Sequence, residues 1–239
     1  DLYGLQAELN PDVALQDVTI LQDELDYEML GLLQRPYDGQ LVPIKKGVVL
    51  EQLVHYLVGC YMGRYRLDIP GLHIAHPNPA EEELKPYRFT HSAGEQVFEI
   101  DDDAIIPLMG SMGSFADDMV LRIREVIQKI WGSDTLTQNI NFLQECLGKD
   151  LEEYLVKDFW KFHCKYYSKK PIYWLFSSAK GAFQVLVYMH RMHPFTVGRI
   201  RSKYLLPHLR HLQDRIAELE KNALKKNPVV EKMTSQEEK

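Results

Sequence analysis

The sequence predicts an α+β, helix-dominated fold, and three observations carry that prediction. Apolar residues recur at helical spacing in several separate stretches, residues 172–190 read as a β-hairpin, and residues 67–113 hold too many turn formers for a long helix. At 239 residues, 45% hydrophobic and 26% charged, the chain is long enough to bury roughly three quarters of its unfolded surface in one core. Its balance is that of a folded, soluble protein and excludes collagen-like, low-complexity and disordered classes.

The elements follow in order. Residues 1–47 carry Pro11, Pro36, Pro43, Gly31 and Gly39 and are expected to form an N-terminal arm or linker with one short helix around Thr19 to Leu33. From Val48 to Tyr65 the apolar positions Leu50, Leu53, Val54, Leu57, Tyr61 and Tyr65 recur at three and four residues, which buries one helical face. Gly59 and Gly63 on that helix are expected to admit another backbone. In the loop-rich insertion at 67–113, short strands are expected at Tyr87 to Phe89 and Val97 to Ile100.

Ser114 and Asp117 have capping-box spacing ahead of the stripe Phe115, Met119, Ile123, Val126, Ile127 and Ile130, which Trp131-Gly132 ends. Thr135 with Gln138 caps a helix running to Leu147 and stopping at Gly148, and another begins near Asp150 with Leu151, Leu155, Phe159, Phe162 and Tyr166 on one face. Ile172 to Ser178 is a continuous β-branched and aromatic run. Lys180-Gly181 is a turn, and Phe183, Val185, Val187 and Met189 alternate with Gln184, Leu186 and Tyr188, completing the hairpin. Phe195 to Leu206 is helical, and Pro207 either opens a new helix or kinks a long one. Beyond it Leu209, Leu212, Ile216, Leu219 and Ala223 keep a seam spacing suited to a partner helix. Residues 48–225 therefore read as one helical region with a hairpin, and 226–239 as a flexible tail.

The longest apolar stretch without Asp, Glu, Lys or Arg, Gln52 to Gly63, is too short to span a bilayer, so no membrane segment is expected. Cys60, Cys146 and Cys164 are an odd set without paired spacing and fit a reducing, cytoplasmic setting, as small buried hydrophobes. The start at Asp1-Leu2-Tyr3-Gly4, with no initiator Met and no leader pattern, reads as a piece of a longer protein.

Charge is segregated along the chain. The net charge is −6, which by itself argues against a polyanionic partner. Yet from Lys157 to His211 there are 11 Lys and Arg against a single acid, Asp158, while residues 1–156 hold 11 basic and 27 acidic residues. Solvated faces normally mix both signs. Phe159, Trp160, Phe162, Tyr166, Tyr167, Tyr173 and Trp174 interleave with these cations. That pattern suits backbone neutralisation with base or sugar contacts, and equally suits docking on an acidic protein surface, including the acidic part of this chain.

Catalytic and metal signatures are weak. His190 with His193 and His208 with His211 are two His-x-x-His pairs, but one sits at a strand end beside Pro194, the other lies among cations, and no cysteine pair supports zinc. Asp68 with Glu83-Leu84-Lys85 has the outline of a metal-dependent nuclease, interrupted by His76-Pro77-Asn78-Pro79, which cannot make a regular strand. Asp101-Asp102-Asp103 reads as a turn or helix start. Phosphate loops, dinucleotide fingerprints, His-Glu-x-x-His and Gly-x-Ser-x-Gly are all absent.

Lys169-Lys170-Pro171-Ile172-Tyr173-Trp174-Leu175-Phe176-Ser177-Ser178, followed by Val187-Tyr188-Met189-His190-Arg191, closely resembles the C-terminal region of the large adenine-specific DNA methyltransferases of BREX-type phage-defence systems, the PglX family. Tyr61-Met62-Gly63-Arg64-Tyr65, Leu67-Asp68, Pro70-Gly71-Leu72, Ile105-Ile106-Pro107-Leu108, Trp131-Gly132 and the opening Leu2-Tyr3-Gly4-Leu5 resemble the same family in the same order. The resemblance implies methyl transfer from S-adenosylmethionine to an adenine amino group of double-stranded DNA, with the base flipped out. The family's Asn-Pro-Pro-Tyr/Phe motif and Gly-rich cofactor loop are missing, Asn78-Pro79-Ala80 and Asn227-Pro228-Val229 being the nearest approaches. Hence no catalytic residue, cofactor or metal is assigned to this chain, and S-adenosylmethionine is expected in an upstream methyltransferase domain. What remains is a DNA-recognition and clamping role, with docking to other defence-system proteins as the alternative. Lys165, Lys169, Lys170, Lys180, Arg191, Arg199, Arg201 and Lys203 are expected to face phosphates, and Gln184 with the turn at Ser178 to Gly181 to approach base edges.

Overall fold

The computed structural model describes residues 23–26, 28 and 43–226. Of the expected flexible tail at 226–239 only Lys226 is described, and it is helical; the rest of the tail and most of the arm at 1–47 lie outside the described residues. Within the arm, Asp23–Asp26 form a turn and a bridge, Leu25 pairing with Ile44, and Glu28 is helical; the rest of the helix expected around Thr19 to Leu33 lies outside the described residues.

The fold is α+β. Helix α1 (Lys46–Tyr61) carries the apolar stripe as far as Tyr61, ends four residues before the expected end at Tyr65 because Gly63 turns left-handed at φ 74°, and buries Val54, Leu57, Val58 and Tyr61. At Gly59 the close neighbour is a side chain rather than a backbone: a Cβ built there would lie 2.5 Å from the Tyr65 ring. A short helix α2 (Glu81–Leu84) precedes the antiparallel pair β1 (Tyr87–His91) and β2 (Gly94–Phe98). The second strand starts three residues earlier than its hydrophobic run, because Gly94, at φ 82°, makes the tight turn between them.

Helix α3 (Met119–Trp131) is capped by Asp118, not by the Ser114 and Asp117 pair. The Asp118 carboxylate accepts from Val120 N–H and also from Met109 and Gly110 N–H, so it joins the helix start to the preceding loop. Gly132, at φ 98°, ends α3, and Gly148, at φ 66°, ends α4 (Leu136–Leu147). Thr135 turns its hydroxyl back to the Trp131 carbonyl instead of capping α4. A three-part helix follows: α5 (Leu151–Glu153), capped by Asp150, a π-helical turn (Tyr154–Asp158), and α6 (Phe159–Tyr166).

The expected hairpin is β4 (Tyr173–Ser177) and β5 (Gln184–Tyr188), paired antiparallel with Tyr173 opposite Tyr188. A third strand, β3 (Ile105–Pro107), comes from the loop-rich insertion and gives the order β3-β5-β4. Pro107 is tolerated because β3 is an edge strand. Central strand β5 is buried on both faces. Leu186 and Tyr188 enter the main core with α1, α3 and α6, while Val185 and Val187 pack in a second cluster with Ile105, Phe183, Ile200 and Tyr204. The last helical run is α7 (Thr196–Arg199), a π-helical turn (Ile200–Leu205) and α8 (Leu206–Lys226). Pro207 neither opens that run nor breaks it. The wide turn just before it accommodates a ring that would otherwise crowd the preceding carbonyls. No described helix is long and apolar enough to cross a membrane.

Candidate nucleic-acid interface

The turn carrying Lys169 and Lys170 is built from the end of α6. Ser168 N–H bonds to Lys165 O, Lys169 N–H to Cys164 O at 2.7 Å, and Lys170 N–H to Tyr167 O. Ser168 and Lys169 lie at φ 50° and 62°, left-handed conformations that cost roughly 1–2 kcal/mol per residue without glycine. The surrounding structure holds this geometry.

The anchor is His163, fully buried on α6. Its Nε2 accepts from the N–H groups of Ile172 and Tyr173, 3.0 and 3.2 Å away. Backbone N–H groups only donate, so Nε2 is bare and the proton sits on Nδ1. That N–H donates to His55 Nε2 on α1, 2.6 Å away, which places the His55 proton on its own Nδ1. Burial, followed by the charge of Arg64, pushes His55 down to about 4. Burial, the neighbouring His55 and Arg64 push His163 down to about 3. Both rings are therefore neutral at pH 7. This pair fastens the start of β4, and so the lysine turn, to two helices. Sequence reasoning missed it; the available signal was a histidine inside each of two apolar helical stripes.

Of the eight cations expected to face phosphates, seven are exposed: Lys165, Lys169, Lys170, Lys180, Arg199, Arg201 and Lys203. Arg191 is a correction. It is 4% exposed, its Nη1 donates to the carbonyls of Met62 and Asp101 and its Nη2 to that of Asp102, so it ties the end of β5 to α1 and to the loop before β3. A guanidinium caged by three carbonyls is a structural group. Lys203 is exposed but committed, with Nζ 3.2 Å from Asp102 and 2.9 Å from Asp103. Gln184 is also corrected as a base reader: it is buried and donates to Gly181 O. Lys165, Lys169, Lys170, Lys180, Arg199 and Arg201 make no ion pair among the described residues, whereas Lys157 pairs with Glu153 and both Lys149 and Lys161 pair with Asp158.

The unpaired cations do not converge on one point. Lys169 and Lys170 precede the Tyr173 end of the hairpin and Lys180 lies at its tip, beyond Ser177. Arg199 borders a cavity of about 240 Å³ with Asn78, Asp102, Asp103 and His193.

The weaker chemistries do not assemble. Asp68 is held bidentate by Arg66, Glu83 accepts from Ala80 N–H and lies 3.0 Å from His76, and Lys85 pairs with Glu82, so each member of the nuclease outline has another partner. His208 is buried, with Nε2 2.9 Å from Ala182 O. Among the described residues the one metal-compatible cluster is Asp101, Asp102 and Asp103. There the carboxylates of Asp101 and Asp103 accept backbone N–H groups and Lys203 supplies the countercharge, the arrangement of a turn. Cys60 is buried, Cys146 and Cys164 are partly exposed, and all three are free.

No family model matches the chain. It is 38% identical over 185 residues to adenine-specific methyltransferase BrxX of Escherichia coli O9:H4 (strain HS), covering 71% of this chain and 15% of that protein. It is 32% identical over 232 residues to adenine-specific methyltransferase PglX of Lacticaseibacillus casei (strain Zhang), covering 92% of this chain and 17% of that protein. The chain thus spans about a sixth of the length of these curated relatives. With most of its residues aligned at this identity, the chain belongs to the BREX adenine-specific methyltransferase family that its motifs resemble.

Proposed function

We propose that this chain is the C-terminal, non-catalytic DNA-recognition and clamping region of an S-adenosylmethionine-dependent adenine-specific methyltransferase acting in phage defence. The observation that carries the reading is the set of exposed cations without ion-pair partners among the described residues, Lys165, Lys169, Lys170, Lys180, Arg199 and Arg201, on a segment with a single acid. Surface lysines and arginines normally find acidic neighbours. Lys169 and Lys170 sit on a turn stiffened by the buried histidine pair, so little backbone entropy is lost when they meet phosphate. Their distribution over both ends of the hairpin suits a surface that tracks a duplex rather than one that grips a single anion.

The test is a titration of labelled duplex DNA by fluorescence anisotropy at several salt concentrations. Affinity should fall steeply with salt, and Lys169→Ala with Lys170→Ala should weaken binding to all sequences while lowering the log–log salt slope by about two. An unchanged slope removes these lysines from the interface. A second reading, a docking module for partner proteins, is favoured by the exposed Leu209, Ile216 and Leu219 along α8. Absence of DNA binding at low salt gives that reading the lead.

A further inference from the structure

A cavity of about 250 Å³ opens between α1 and α6, small for a ligand cleft and of a size for one planar ring system. Tyr56 and Tyr65 flank it with rings 5.4 Å apart and 26° from parallel, and Phe162 and Tyr166 flank it with rings 5.7 Å apart and 24° from parallel. Gln52 also lines it, and His55, 5% exposed, forms its buried floor. The tautomer set by His163 leaves the His55 Nδ1–H with no hydrogen-bond partner among the described residues. That N–H gives the aromatic cavity a polar handle for the acceptor of a planar ligand. The Arg64 guanidinium lies 5.2 Å from the Tyr65 ring centre and disfavours an ammonium ligand in this aromatic site. Three residues after Tyr166 and Tyr167 come Lys169 and Lys170.

We propose that this cavity holds a single nucleobase swung out of the DNA stack, lying against the tyrosine rings, with a ring nitrogen or carbonyl accepting from His55 Nδ1–H and the Gln52 amide meeting its edge. Every base offers such an acceptor and a π-face, so the site tolerates any base, and the lysine turn next to it takes the flanking phosphates. The inference rests on the DNA-binding reading above and extends it from backbone contact to capture of a base.

The test compares a duplex carrying one unpaired 2-aminopurine with its fully paired counterpart, by anisotropy, using the 239-residue chain. The bulged duplex should bind about tenfold more tightly, and Tyr166→Ala should erase that preference while leaving paired-duplex affinity within about twofold. Tyr166 is 54% exposed, so its truncation spares the core, and Tyr56→Ala should act alike. Equal binding of the two duplexes, or a preference that survives both substitutions, overturns the base pocket and leaves the DNA-binding reading standing. If neither duplex binds, the DNA-binding reading falls, and free 2-aminopurine deoxyriboside decides the pocket. Fluorescence quenching that disappears in Tyr166→Ala supports a nucleobase site, and no quenching overturns it.

Discussion

The neutral histidine pair should make stability depend on pH with a sign and size that follow from its geometry. Protonating His163 would put an N–H against the two N–H groups of Ile172 and Tyr173, and protonating His55 would put one against the Nδ1–H of His163. Their pKa values in the fold, about 4 and about 3, lie below the value of about 6.5 in the unfolded chain. The unfolded state therefore binds more protons across this window. The contribution is fully present above about pH 6.5 and is lost as pH falls toward the folded values. Between pH 6 and 5 an unfolded histidine holds on average ~0.9 proton, which at 1.36 kcal/mol per proton per pH unit amounts to about 1.2 kcal/mol lost for each ring. Asp101 works in the opposite direction. Burial and then the Asp103 charge push it up to about 8, so the fold keeps a proton that the unfolded chain releases, and its share grows as pH falls. The clean measurement is thus a difference. His163→Gln keeps an acceptor oxygen for the two N–H groups and an amide N–H for His55 Nε2 but cannot itself titrate, and groups away from the pair cancel. Urea melts at pH 7, 6 and 5, followed by tryptophan fluorescence and circular dichroism, should show the parent losing about 1.2 kcal/mol more than His163→Gln between pH 6 and 5. Equal pH dependence of the two proteins would refute the assignment of His163 as a neutral acceptor.

Other perturbations test the remaining links. Arg191→Met should cost about 3 kcal/mol or more in urea melts, because it orphans the carbonyls of Met62, Asp101 and Asp102 together. The folded variant should keep the parental salt slope for DNA, whereas a drop of about one would return Arg191 to the phosphate face. Asp118→Ala removes the acceptor of the Met109, Gly110 and Val120 N–H groups and should cost about 2–3 kcal/mol, read as a lowered urea midpoint with an unchanged m-value. Gly59→Ala places a methyl 2.5 Å from the Tyr65 ring; it should cost about 1–3 kcal/mol and displace Tyr65, seen as altered tyrosine resonances in NMR spectra.

Much of the architecture was legible in the chain. The stripes of α1 and α3, the glycines that stop α3 and α4, and the strand–turn–strand pattern of the hairpin are local signals set by side-chain period and turn chemistry, and these elements stand close to where they were expected. The errors lie where a distant partner intervenes. Asp118 displaced Ser114 as the α3 cap because its carboxylate also meets the loop at Met109 and Gly110. Ile105–Pro107 read as loop because a three-residue edge strand has no pattern of its own until β5 supplies the other half of its hydrogen bonds.

The sequence by itself determined the order of elements, the separation of an acidic part from a basic one, and the motifs that place the chain in its family, since all are properties of residues near one another in the chain. Only the tertiary structure decided which charges meet water. Arg191 and Lys203 come from the same basic run as Lys169 and Lys170, yet one is enclosed by carbonyls and the other is bound by Asp102 and Asp103. Likewise, His55 and His163 are unremarkable alone and become a neutral, tautomer-locked pair only when packing brings them together across 108 residues. Burial and hydrogen-bond partnership are set by long-range contacts, and a linear pattern does not encode them.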